Sequence, residues 1–428
     1  MSVAKPPSDL AKVWDLPKAV CPVGSIGHRW DPYDQHAMYK VLGEARQSEP
    51  VFYSPELDYW VVTRYDDVMS ILRNPSVFSA ANANTPVAPV PQEALSILDE
   101  GGYALEGIQV NCDPPRHDRI RTHVSQAMGM KRLMALEPHI VRNVELGIKN
   151  LQGKNRVDIL KDFIYEFPAR VIFSLLDIPE SDAAQVKAWA MDRALMSFTH
   201  SSKNKQIDGA RNLVEFWNYC VKHVQKKMLN PGDDYVSDLL AVRDGDDDKL
   251  TLNEINSAAF GLLFAGHETT TNQSTHLLNA LLSGDGLWQQ LVDEPSLIPL
   301  AVEEGLRMYG AVANWRRRAV EDVTIGGMDI PAGSGIVISF AAANRDPEMF
   351  EDPDEFRLDR KNVRKHLTFG NGLHFCMGAP LARLEMKLLF QTMTREFPNM
   401  KLAADEEIDF VRAFGFRAPK SLWVDLQG

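Results

Sequence analysis

The stretch FGNGLHFCMG, Phe369 to Gly378, places three glycines, a histidine and a cysteine within ten residues of a chain that has only four cysteines. Glycines at 370, 372 and 378 permit close approaches that a side chain would block, so the loop suits contact with a flat ligand. Directly after it, Ala379 and Pro380 open an amphipathic pattern that predicts a helix to about Phe397, proline being tolerated in a first helical turn. Cys376 therefore lies near a helix N-terminus, where free N–H groups and the helix dipole favour a thiolate over a thiol. An inert small side chain beside a turn remains open. So does a catalytic nucleophile, which needs an orienting His with an Asn or Asp partner; His374 serves only if the loop folds back on itself.

The rest of the chain narrows these options. Its 428 residues, 45% hydrophobic and 24% charged, have an ordinary globular composition and can bury a large core. A net charge of -12 argues against a general nucleic-acid binder, because phosphate affinity needs clustered positive charge. No run approaches the roughly 18 apolar residues of a membrane helix. The opening MSVAKPPSDLAKVWDLPKAV also lacks the apolar centre of a signal peptide, so no membrane anchor and a cytoplasmic location are expected. Cys21, Cys112, Cys220 and Cys376 form no CxxC pair, which sets aside a disulfide framework and a zinc ribbon.

Along the chain, YWVVTRY (Tyr59 to Tyr65) is β-prone and ANANTPVAPVPQ (Ala81 to Gln92) reads as loop. From about Arg116 to Leu306 the periodicity is mostly helical. DGDDDK (Asp244 to Lys249) interrupts it. An EF-hand calcium loop fails there because Lys249 occupies the position of the obligatory glycine. Thr251 and Glu254 then fit a capping box, which starts a helix through NEINSAAFGLLFAGHETTTNQSTHLLNALL, about thirty residues. Past Arg307 come short strands, with TIGGMDIPAGSGIVIS (Thr324 to Ser339) reading as hairpins, then an irregular segment and a strand-like tail, FGFRAPKSLWVDL. No GxGxxG opens a βαβ unit and no second cysteine cluster exists, so no fused reductase is expected.

FGNGLHFCMG resembles the haem-binding signature of the cytochrome P-450 family, F-x-x-G-x-x-x-C-x-G. Four further motifs follow the family's order: DPPRHDRIR (Asp113 to Arg121), AGHETT (Ala265 to Thr270), EEGLR (Glu303 to Arg307) and FRLDR before the cysteine loop. The resemblance implies a mainly α fold with smaller β regions, a long central helix over the haem and the cysteine loop beneath it. It implies one haem domain over residues 1–428, with about 1–30 as an N-terminal extension. Cys376 is then the thiolate ligand of haem b, Gly378 supplies N–H groups to the sulfur and Phe369 packs against the loop. His117, Arg121, Arg317 and His374 face the haem propionates. Ala265 and Gly266 leave room for dioxygen, while Thr269 and Glu268 deliver protons. Glu304 and Arg307 lock to Arg360, with Arg357 the second choice.

The same resemblance implies a monooxygenase that inserts one atom of dioxygen into a small hydrophobic molecule by hydroxylation or O-dealkylation. Its electrons come ultimately from NAD(P)H through a ferredoxin or flavodoxin with its reductase. A donor would dock beneath Cys376, where Arg116, Arg119, Lys131, Arg132 and Arg383 gather. Phe198, Phe260, Trp315, Phe414 and Phe416 fall in segments that line the family's pocket, so a modest apolar or aromatic substrate is expected. A peroxide-driven haem enzyme and a non-catalytic haem-thiolate sensor are the alternatives.

Overall fold

The computed structural model describes residues 24 to 427, so Cys21 and most of the expected N-terminal extension lie outside the described residues. The capping box expected at Thr251 is present. The Thr251 hydroxyl accepts from the Glu254 N–H, and the Glu254 carboxylate accepts from the Thr251 N–H, both at 3.0 Å. From that start a helix runs Leu252–Ser283, 32 residues, about 48 Å at ~1.5 Å per residue. It persists so long because it is buried on most faces: helices Phe167–Leu176, Lys203–Leu229, Ala183–Phe198 and Ile298–Met308 pack around it. Arg119 clamps Glu254 from helix Arg116–Ala127 with two hydrogen bonds of 2.6 and 2.8 Å. The N-terminus of the long helix is thereby tied to the helix that carries His117 and Arg121.

A mixed five-stranded sheet stands beside this helical body. Its order is Val51–Ser54, Tyr59–Val62, Gly335–Ser339, Asn314–Ala319, Phe78–Ser79, with only the Tyr59–Val62 and Gly335–Ser339 pair parallel. Side chains alternate along a strand, so Asn314–Ala319 sends Trp315 and Arg317 to the cavity described below. Arg316 points the other way, fully buried, and donates to the carbonyls of Ala83 and Thr85. Of the hairpins expected over Thr324 to Ser339, one forms, Val323–Ile325 with Met328–Ile330, while Gly335–Ser339 joins the five-stranded sheet instead. The strand-like tail is mostly irregular: Gly415, at φ 79°, and Pro419 break it into the isolated bridges Val312↔Phe416 and Phe410↔Pro419 before the short strand Trp423–Asp425.

Glu304 and Arg307 lie on one face of helix Ile298–Met308 and are both fully buried. Arg307 donates to the two Glu304 oxygens at 2.7 and 2.8 Å, and Arg360 Nε reaches the same carboxylate at 3.0 and 3.2 Å. Arg357 contributes its backbone N–H to Glu304, while its guanidinium turns outward to Asp352 and Asp359. Arg307 also donates to the carbonyls of Asn344, Pro353 and Glu355. The irregular segment is thus fastened to the helix by one buried ionic cluster. Glu304→Gln should cost about 3–5 kcal/mol, because it leaves two buried guanidiniums without their carboxylate. Arg360→Ala should cost about 1–3 kcal/mol, because Glu304 keeps Arg307 but the carbonyls of Glu351, Asp352 and Glu355 lose a donor. Arg357→Ala should cost less than about 1 kcal/mol, since its charge pairs are exposed. Denaturant midpoints check this ordering.

Candidate functional site

Between the long helix and the cysteine loop lies a cavity of ≈ 840 Å³, near the top of the range for small-molecule sites. Cys376, Gly370 and Gly378 border it from the loop, and Ala265, Glu268 and Thr269 from the long helix. The Cys376 N–H donates to the Phe369 carbonyl at 2.9 Å and closes the loop. Gly372 adopts φ 67°, and a Cβ there would come within 2.7 Å of the Leu72 carbonyl oxygen, so this glycine answers to the backbone of helix Tyr65–Arg73. Helix Ala379–Glu396 starts where expected.

Opposing influences act on the charge of the cysteine. Burial pushes the Cys376 thiol up, against the N–H groups of Gly378 and Ala379 and the charges of Arg121 and Arg383, and the net direction is upward. A metal bound to the sulfur adds to the helix N-terminus in favouring the thiolate.

His117, Arg121, Arg317 and His374 converge at one edge of the cavity. The His117 and His374 rings meet at 4.5 Å, edge to face, and the Nε2 atom of each is buried without a hydrogen-bond partner. His374 donates Nδ1–H to the Gln109 carbonyl at 2.9 Å. Burial, reinforced by Arg317 and His117, brings its pKa down to about 4. Burial likewise lowers Arg317 to about 10. Arg121 Nη2 donates to the Phe375 carbonyl at 2.7 Å. Two guanidiniums and two imidazoles under-supplied with acceptors fit a ligand that carries carboxylates. An anion there would also restore the second proton of His374, which Nε2 needs before it can donate.

On the long helix, Ala265, Gly266, Glu268 and Thr269 all border the cavity. A Cβ on Gly266 would meet Ile172 Cδ1 and Cγ1 at 2.6 and 2.8 Å. Gly266 therefore lets helix Phe167–Leu176 cross closely there, and it lines the cavity beside Ala265. Thr269 Oγ1 donates to the Ala265 carbonyl at 3.0 Å, so toward the cavity its oxygen is an acceptor. Burial raises the Glu268 pKa, but His267 and Lys187 together outweigh it and hold the carboxyl below its usual range. His267 Nε2 lies 3.4 Å from Glu268 Oε1. Lys187, whose amine burial lowers to about 8, donates to the Tyr165 carbonyl and stands 3.6 Å from half-exposed Glu166. His267 and Lys187 escape sequence reasoning because one sits at the motif's variable position and the other lies on a different helix. Glu385, fully buried and lining the cavity, is a third such group; burial raises its pKa well above the carboxyl range.

The expected aromatic lining is partly rearranged. Phe198, Trp315 and Phe416 line the cavity together with Phe264, which stacks parallel to Phe198 at 6.3 Å. Phe198 meets Phe416 at 4.6 Å and Trp315 at 6.0 Å. Phe260 touches the cavity but belongs mainly to the core, 4.4 Å from the Phe216 ring. Phe414 is not among the lining residues and lies against the Arg316 guanidinium instead. One residue on, Gly415 takes its positive φ, with the Ala313 N–H donating to its carbonyl at 2.8 Å.

Four of the five basic residues expected to gather beneath Cys376 are engaged within the protein. Arg116 pairs with Glu106 and Glu254, Arg119 with Glu254, Arg132 with Asp233 and Asp238, and Arg383 with Glu303. The free cationic patch read from sequence is therefore mostly neutralised locally.

Comparison with known proteins agrees with this architecture. The cytochrome P450 family profile matches residues 59–420. The chain is 34% identical over 371 residues to cytochrome P450 CYP107DY1 of Priestia megaterium, covering 85% of this chain and 88% of that protein. It is 32% identical over 395 residues to 6-deoxyerythronolide B hydroxylase of Saccharopolyspora erythraea, covering 91% and 96%. The structure of cytochrome P450 CREJ in complex with (4-ethylphenyl) dihydrogen phosphate superposes with a TM-score of 0.90 at 36% identity, covering 94% of this chain and all of that one. The chain belongs to the cytochrome P450 family and is a haem-dependent monooxygenase. The family binds haem b through a cysteine thiolate and draws electrons from NAD(P)H by way of partner proteins. Among the described residues, no helix is long and apolar enough to cross a membrane.

Gly266→Ala should destabilise the protein by about 1–3 kcal/mol through overpacking. Ile172→Ala should relieve it, so that the double variant is more stable than the sum of the single effects predicts. Thermal denaturation of the four proteins measures this coupling.

Proposed function

We propose that this chain hydroxylates or O-dealkylates a small, largely apolar aromatic compound, with Cys376 as the iron ligand. The carrying observation is the cage of Phe198, Phe264, Trp315 and Phe416 in the same cavity that Cys376 borders. Four rings give an apolar substrate a large contact surface at little entropic cost. The aryl ligand of the similar CREJ structure supports the same class. A ferredoxin or flavodoxin is the proposed electron donor.

Haem b, once bound, supplies the activation of dioxygen, and the chain's residues set the conditions for it. Cys376 supplies the sulfur, with the Gly378 and Ala379 N–H groups directed at it. His117, Arg121, Arg317 and His374 would hold the propionates. The aromatic cage orients the substrate and excludes water. Glu268, ionised by its cationic neighbours, collects protons from the Lys187 and Glu166 side and passes them toward Thr269 Oγ1. That hydroxyl rests with its proton on the Ala265 carbonyl, so delivering a proton to the cavity would require its O–H to turn from the carbonyl into the cavity while its oxygen accepts a replacement proton from the Glu268 side.

Isotope labelling tests the reaction. Under ¹⁸O₂ with a reconstituted electron supply, a small alkylphenyl substrate should gain one labelled oxygen, or a small alkoxyphenyl substrate should lose its alkyl carbon as a labelled aldehyde. Unlabelled product formed only with added peroxide would indicate a peroxide-driven enzyme, and ligand-dependent spectra without product would indicate a sensor. Thr269→Ala should leave substrate binding unchanged and divert reducing equivalents into hydrogen peroxide; undiminished product per NAD(P)H would contradict the relay. Phe198→Ala should weaken binding of an aromatic substrate by about 1 kcal/mol or more, whereas Phe414→Ala should leave the dissociation constant within about twofold, as optical titration can show.

A further inference from the structure

Glu303 precedes the buried Glu304 in sequence but serves a separate cluster. Its carboxylate accepts Nε–H and Nη2–H from Arg383 at 2.7 and 3.0 Å, and Nε2–H from His366 at 3.0 Å. Both partners then touch the ring that begins the cysteine loop. The Arg383 guanidinium lies 4.6 Å from the Phe369 centroid, and the His366 ring lies 5.9 Å from it. Phe369 in turn accepts the Cys376 N–H. Glu303 is 4% exposed, whereas Arg383 keeps about a third of its side chain in solvent, 31%. Burial raises the Glu303 pKa, but His366 and Arg383 overcome it and bring it down to about 2. Arg383 is also one of two cations, with Arg121, whose charge acts on Cys376.

We propose that Arg383 and Glu303 form a tuning pair for the haem reduction potential: Arg383, held on Phe369, applies positive charge to the Cys376 sulfur, and Glu303 both positions it and offsets part of that charge. The proposal rests on the reading of Cys376 as the iron ligand. Reduction adds one electron to an iron–thiolate unit, so a nearby cation stabilises the reduced form and a nearby anion opposes it. Arg383 therefore raises the potential and Glu303 lowers it. A residue that only braced the fold would carry no such sign.

The test is spectroelectrochemical titration of haem-loaded wild type, Glu303→Gln, Arg383→Gln and Arg383→Lys. Glu303→Gln should move the midpoint to more positive values and Arg383→Gln to more negative ones, with Arg383→Lys between Arg383→Gln and wild type. Shifts of Glu303→Gln and Arg383→Gln in the same direction, or none in either, would overturn the proposal. If Glu303→Gln fails to fold, the Arg383 pair decides: an unchanged or more positive midpoint in Arg383→Gln overturns it. The reduced carbon monoxide complex separates this from the ligand assignment. A wild type without a red-shifted Soret band removes the assignment and the proposal together; a wild type with that band but unmoved variant midpoints removes the proposal alone.

Discussion

A buried carboxylate without enough donors is among the costliest features a fold can carry, and Glu304 escapes that cost by collecting two guanidiniums and a backbone N–H. The cluster has a positional consequence. Arg360 and Arg307 also hold the carbonyls of Glu351, Asp352, Pro353 and Glu355, so a segment without regular structure acquires a fixed path into the cysteine loop. Thr368 continues the path by donating to the Leu306 carbonyl at 2.6 Å. The sulfur's position is thereby referred back to helix Ile298–Met308, which packs on the long helix that forms the opposite wall. Cofactor geometry in this protein is a property of that chain of contacts.

Much of this was legible in the sequence because the decisive signals are local. The capping box needs only Thr251 and Glu254, three residues apart, and the Glu304–Arg307 pair needs one helical turn. The cysteine loop announces itself by glycines that a helix or strand would not tolerate together. Each of these is settled within a few residues of chain, before tertiary packing has a say.

What stayed hidden depends on partners far away in sequence. Gly266 reads as room for a ligand, but it also answers to Ile172, nearly a hundred positions earlier, which a Cβ there would meet. Phe414 turns away from the cavity, since residue type says nothing of which way the backbone turns at Gly415. The basic residues near the cysteine loop read as a free patch because their acidic partners, Glu106, Glu254, Asp238 and Glu303, belong to other segments. For the thiolate, too, the local signal is only part of the balance: the helix terminus favours it, but the desolvation that pushes the thiol up comes from the protein around the loop.

The central claim is that one sulfur, Cys376, binds the iron of the haem this cavity encloses. X-ray absorption at the iron edge of the haem-loaded protein tests it most directly. The account predicts one sulfur neighbour in the first coordination shell of the wild type, absent in Cys376→Ala. A shell of nitrogen and oxygen alone in the wild type, or a sulfur neighbour that survives in Cys376→Ala, would contradict it.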